Sequence, residues 1–127
     1  MLYVEREFNG HFEDIIEGLL FHLKNGGYVI VADVDVKGIL KRALNFDFKN
    51  YHIFEICRPQ AAKELIAGNV INGLFLPCKM VAYEDGEKTR IRLVRSSEIA
   101  KQFSVEGTSG IRKYEDELVS LFSSFSA

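Results

Sequence analysis

The sequence predicts an α+β domain: a mainly antiparallel sheet in β-α-β(4)-α order, with its helices packed on one face. Three observations lead there. Stretches that alternate with a period of two are interleaved with stretches whose apolar residues recur every three or four positions. After the first helix, four strand-like segments follow with only short helical excursions, and such runs favour antiparallel pairing over strict βαβα winding. Asp85-Gly86 stands between two of these segments, and that pair favours the positive φ angles of a tight hairpin.

Leu2 to Phe8 sets Leu2, Val4 and Phe8 against Tyr3, Glu5 and Glu7, the pattern of a half-buried strand that ends at Asn9-Gly10. Phe12, Ile15, Ile16, Leu19, Leu20 and Leu23 then recur at helical spacing, with Glu13, Asp14, Glu17 and Lys24 opposite. Acids at the start and a lysine at the end suit the helix dipole. Asn25-Gly26-Gly27 stops this helix. Tyr28 to Val36, rich in β-branched residues, reads as a strand. Val36 to Leu44 reads as a short helix and Tyr51 to Cys57 as a third strand. Pro59 suits the first position of the next helix, where its missing N–H costs nothing, and Gly68-Asn69 ends it. Leu74 to Glu84 and Lys88 to Arg95 form the hairpin around Asp85-Gly86. Ser96 or Ser97 is expected to cap a short helix through Phe103. Thr108 or Ser109 is expected to cap the last helix, with its apolar stripe of Ile111, Tyr114, Leu118, Leu121, Phe122 and Phe125.

The 127 residues suit a single domain, 1–127, with no repeat or linker to divide them. A hydrophobic fraction of 47% supports a core without disulfide or metal staples. The net charge of -2 provides no pull toward nucleic acid or anionic lipid. No apolar run reaches the roughly 18 residues a membrane span needs. The first residues lack a signal-peptide core. Two cysteines are too few for a secreted disulfide scaffold, so a cytoplasmic protein with reduced thiols is expected.

Alternation places Tyr28, Ile30, Ala32, Val34 and Val36 on one face of the second strand, and Val29, Val31, Asp33 and Asp35 on the other. If helices cover the more apolar side, the outer sheet face carries Asp33, Asp35, Glu55, Cys57, Arg90 and Arg92 among Val29, Val31 and Ile53. Such a face is either covered by a second subunit or ligand, or wet and laced with cross-strand salt bridges.

Three stretches carry a family resemblance: Gly27-Tyr28-Val29-Ile30 before Asp33-Val34; Tyr51-His52-Ile53-Phe54-Glu55-Ile56-Cys57-Arg58-Pro59 with Ala62; and Leu74-Phe75-Leu76-Pro77-Cys78 running into Val81-Ala82-Tyr83-Glu84. On these the chain resembles, over nearly its whole length, the small prokaryotic domain of unknown function 302. The resemblance implies a β-α-β-β-β-β-α fold similar to the TATA-box-binding-protein-like architecture, and a homodimer. It implies no activity.

The candidate site gathers at Cys57, Arg58, Pro59, Pro77 and Cys78, with Asp33, Asp35 and Glu55 as candidate acid/base groups. Cys57 ends a strand where Pro59 opens a helix. Backbone N–H groups there, with Arg58, favour a thiolate and a lowered pKa. Antiparallel pairing of the two strands could bring Cys78 close, which opens a redox dithiol, a soft-metal site or a reactive thiol; the alternative is two small buried hydrophobes. Two thiolates do not complete a tetrahedral metal site, and no His-x-x-x-His or Cys-x-x-Cys spacing exists, so no metal or cofactor is expected. The carboxylates would form an acid/base pair if left without arginine, but pairing with Arg90 or Arg92 is the more ordinary outcome. A DNA-binding saddle needs a basic concave face, and Asp33, Asp35 and Glu55 oppose one. The reading that emerges is a homodimeric module binding a small ligand or protein partner at the outer face and motif loops; the alternative is a thiol-based redox or sulfur-handling protein using Cys57 and Cys78.

Overall fold

A computed structural model describes residues 1–103 and 107–127. The chain order is β1 (Tyr3–Asn9), α1 (Phe12–Asn25), β2 (Val29–Asp35), α2 (Val36–Leu44), β3 (Tyr51–Cys57) and α3 (Pro59–Gly68). A 3-10 turn over Val70–Phe75 leads into β4 (Cys78–Asp85), β5 (Lys88–Val94), α4 (Ser96–Gln102) and α5 (Ile111–Ser124). The five strands form one sheet in the order β1-β5-β4-β3-β2, and every neighbouring pair is antiparallel. This is the α+β architecture that the period-two and helical patterns predict.

One face of the sheet holds the core. Phe8, Phe54, Ile56, Met80, Ala82, Ile91 and Leu93 pack there against Ile15, Leu19 and Leu23 of α1 and against Leu118 and Phe122 of α5. Arg6 shares that face, where alternation alone would put an apolar residue. Its guanidinium lies 4.6 Å from the Phe8 ring centroid. It donates to the carbonyls of Phe122 (2.9 Å) and Phe125 (2.5 Å), so the first strand caps the C-terminus of the last helix.

The opposite face is polar at one side and apolar at the other. Arg90 meets Asp85 (3.0 Å), Glu5 (3.2 Å) and Glu7 (3.4 Å). Arg92 meets Glu5 at 2.6 Å and lies over the rings of Tyr3 and Tyr83. Hydrogen bonding from Arg92 holds the Glu5 carboxyl below its ordinary range. The arginines on this face are thus paired by cross-strand acids.

Two expectations change. β2 carries a bulge: Ile30 pairs with Ile56, but Ala32 pairs with Glu55, which leaves Val31 without a cross-strand partner. The extra residue reverses the side-chain alternation. Asp33, paired with Phe54, and Asp35, paired with His52, therefore lie on the helix-bearing side, while Ala32 and Val34 turn outward. The second change is in β4, which begins at Cys78 rather than Leu74. Residues 70–75 form the 3-10 turn and Pro77, in a cis peptide bond, has no N–H to give a ladder.

Candidate functional site

The motif residues meet where β3 and β4 end against α3 and α5. Cys57 is the last residue of β3, Arg58 precedes the helix, and Pro59 occupies its first turn. On α3, Ala61 and Leu65 are buried, and Asn72 returns from the 3-10 turn to donate to the Leu65 carbonyl at 2.8 Å. Cys78 opens β4 directly opposite Ile56, so its side chain shares the helix-bearing face with the fully buried Ile56.

Around them is a small, largely apolar cavity of about 30 Å³, lined by Tyr28, Cys57, Arg58, Leu65, Pro77, Cys78, Glu115 and Leu118 among others. That is room for roughly one or two water-sized groups. A second, more open groove of about 300 Å³ lies alongside and is lined by Gly26, Tyr28, Arg58, Glu117, Ser120, Leu121 and Ser124. Tyr28 and Arg58 are common to both, so they form the wall between them. Arg58 is bonded to Glu117 at 2.6 Å, about half exposed, at this boundary.

The polar groups of the inner cavity are held in neutral or internally compensated form. Burial pushes the Cys78 thiol up to about 11, with the charges of Glu115, Cys57 and Glu55 adding to it and a hydrogen bond with Ser96 opposing it. Burial also raises Cys57. The lowered pKa expected from the helix N-terminus and Arg58 is not found: burial raises the Cys57 thiol, and the Arg58 guanidinium is paired with Glu117. Glu115, 3% exposed, accepts from the Ser97 backbone N–H (2.9 Å) and from Ser97 Oγ, with Arg95 at 3.8 Å. Tyr28 is 7% exposed and its hydroxyl is buried without a hydrogen-bond partner. Burial raises its pKa; Arg58 pulls the other way without reaching hydrogen-bond geometry. Phenol and thiols are therefore protonated at neutral pH, and the cavity offers donors within apolar walls.

The acidic candidates are not brought to this place together. Asp33 bonds His52 Nδ1 at 2.6 Å, and Asp35 caps α2 by accepting from the Gly38 N–H at 3.0 Å. Glu55 lies on the other face, beside Leu74, Pro77 and Lys79. Among the described residues no three His, Cys, Asp or Glu side chains converge as a metal-ligand set. No helix among them is long and apolar enough to cross a membrane.

Residues 4–124, which include both steps that line this cavity, match the family described as "Domain of unknown function DUF302". The chain belongs to the DUF302 family. Solved structures share the fold. One is the crystal structure of an uncharacterized conserved DUF302 protein from Bacillus stearothermophilus, with a TM-score of 0.85, 24% identity and 97% coverage of each chain. No functionally curated protein matches the chain.

Two residues of this DUF302 pocket escape sequence reasoning centred on the motifs. Glu115 stands four residues after Ile111 and three before Leu118, which is a core position of the α5 stripe, so helical spacing alone marks it as buried. Tyr28 follows Gly26-Gly27 on the helix-bearing face, which marks it as buried too. That its hydroxyl would lack a partner has no signal in the sequence.

Proposed function

We propose that this domain is a binding module that takes a small, uncharged ligand in the motif cavity. The observation that carries this reading is the Tyr28 hydroxyl, buried without a partner in an otherwise apolar wall. An unpaired buried donor costs about 1–3 kcal/mol, and a guest that accepts from it recovers part of that. The outer sheet face is the weaker candidate, because its arginines are already paired by Glu5, Glu7 and Asp85. Xenon, which needs no hydrogen bond, tests the cavity itself. Pressurised xenon should shift the methyl signals of Leu65 and Leu118 saturably, and those of Leu19 and Leu23 little. Equal, linear shifts at all four would remove the reading.

A second reading concerns self-association. Val29 and Val31 on the edge strand β2, with Ile39, Leu44 and Phe46 on and after α2, are between 43% and 70% exposed. A second copy covering this strip would make the homodimer that the family resemblance implies. Sedimentation equilibrium should give twice the chain mass for the natural chain and one chain mass for Val31→Asp; a monomeric natural chain refutes it. A thiol-based redox or sulfur-handling role for Cys57 and Cys78 is supported by their lining one cavity. Burial, which keeps both thiols protonated, counts against it.

A further inference from the structure

The inner cavity and the outer groove differ in a way that bears on ligand class. The inner space is about 30 Å³ and walled by apolar side chains such as Ile56, Leu65 and Leu118. The outer groove is roomier and more open, about 300 Å³, and carries Arg58, Glu117, Ser120 and Ser124. Tyr28 stands between them with its buried, unpartnered hydroxyl. A guest that uses all three parts has a short apolar end, a hydrogen-bond acceptor next to it, and a polar remainder.

Resting on the binding-module reading, we infer that the ligand presents a short acyl group to the inner cavity, its carbonyl oxygen accepting from Tyr28 Oη and its polar carrier lying in the outer groove. The available volume limits the chain to roughly one or two carbons beyond the carbonyl. Charge selects a neutral acyl group, as in an amide or ester, over a free carboxylate. Arg58 is already bonded to Glu117 at 2.6 Å, and the inner wall includes the carboxylate-bearing Glu115 but no unpaired cation. A carboxylate would have to displace Glu117 and approach Glu115, whereas a neutral carbonyl leaves both ion pairs in place.

The test is a methyl NMR titration of the full chain with three probes: N-methylpropanamide, propionate and N-methylhexanamide. N-methylpropanamide should shift Leu65 and Leu118 saturably. Propionate and the longer amide should bind at least about fivefold more weakly, the range one hydrogen bond or one steric misfit accounts for. Tyr28→Phe should weaken N-methylpropanamide by about three- to tenfold and weaken xenon, which accepts no hydrogen bond, by no such factor. Propionate binding as tightly as the amide overturns the neutral-acyl assignment. A Tyr28→Phe variant that binds the amide undiminished overturns the placement of the carbonyl. Xenon binding without any amide binding overturns the ligand class but leaves the cavity reading intact; failure of both overturns both.

Discussion

Replacing Tyr28 with phenylalanine removes one oxygen from a side chain that is 7% exposed, and leaves the ring in its packing. Where a buried tyrosine hydroxyl is hydrogen-bonded, that substitution costs stability of the order of 1 kcal/mol. Here the sign should reverse. The oxygen has no partner, so the folded state bears its desolvation, about 1–3 kcal/mol, while the unfolded chain satisfies it with water. Loss of the oxygen's own packing contacts offsets part of the gain. The expected net effect is a variant more stable by about 1 kcal/mol. With a urea slope of about 1–3 kcal/mol/M, the unfolding midpoint should rise by roughly 0.3–1 M without a change in slope. Urea unfolding followed by circular dichroism measures this directly. A variant destabilised by about 1 kcal/mol or more would mean that the hydroxyl is satisfied in the free protein, by a resident water or by Arg58, and the argument for a vacant donor would fall.

Three further outcomes follow from the same geometry. The Cys78 pKa is raised from 9.0 to about 11, so the neutral thiol favours the fold; the contribution is complete below about pH 9 and is lost as pH rises toward and past 11, by about 2–3 kcal/mol. The stability difference between the natural chain and Cys78→Ala should shrink by that amount between pH 8 and pH 11, and a constant difference would contradict the burial argument. Cys57, also raised by burial, should react with iodoacetamide at neutral pH more slowly in the folded chain than in urea; a faster folded rate would restore the helix-terminus activation. Glu115→Leu should cost about 2–3 kcal/mol in urea unfolding, because it leaves the Ser97 N–H open and Arg95 without its buried partner, and unchanged stability would refute that role.

Much of the architecture is legible in the sequence because it depends on local rules. Asp85-Gly86 gives the hairpin, Pro59 opens α3, and the spacing of Phe12 to Leu23 gives α1. What is not legible depends on single residues that break a period. The bulge at Val31 moves Asp33 and Asp35 to the other side of the sheet, and no turn residue in Val29-Ile30-Val31-Ala32 announces it. Pro77 delays β4 to Cys78 although the apolar run begins earlier. The serines expected to cap α4 do not do so through their own side chains; Glu115, from α5, accepts the Ser97 N–H instead. For the candidate site, the sequence identifies the two motif loops and the structure brings them to one cavity. The assignment of chemistry differs because the effect of a helix N-terminus on Cys57 can be read from order alone, whereas desolvation depends on packing between distant elements.

The Arg6 contact bears on how the chain acquires its structure. Arg6 reaches across 116 residues to the Phe122 carbonyl, and β1 pairs only with β5, Tyr3 lying opposite Val94. Of the five strands, β1 is made before the others and its partner β5 is made after them. Loops of that length are slow to close. The β2-to-β5 strands have partners near in sequence, whereas β1 is an edge strand whose arginine holds the last helix across the longest separation. A kinetic experiment on Arg6→Met should thus show its effect late, mainly in faster unfolding rather than slower folding.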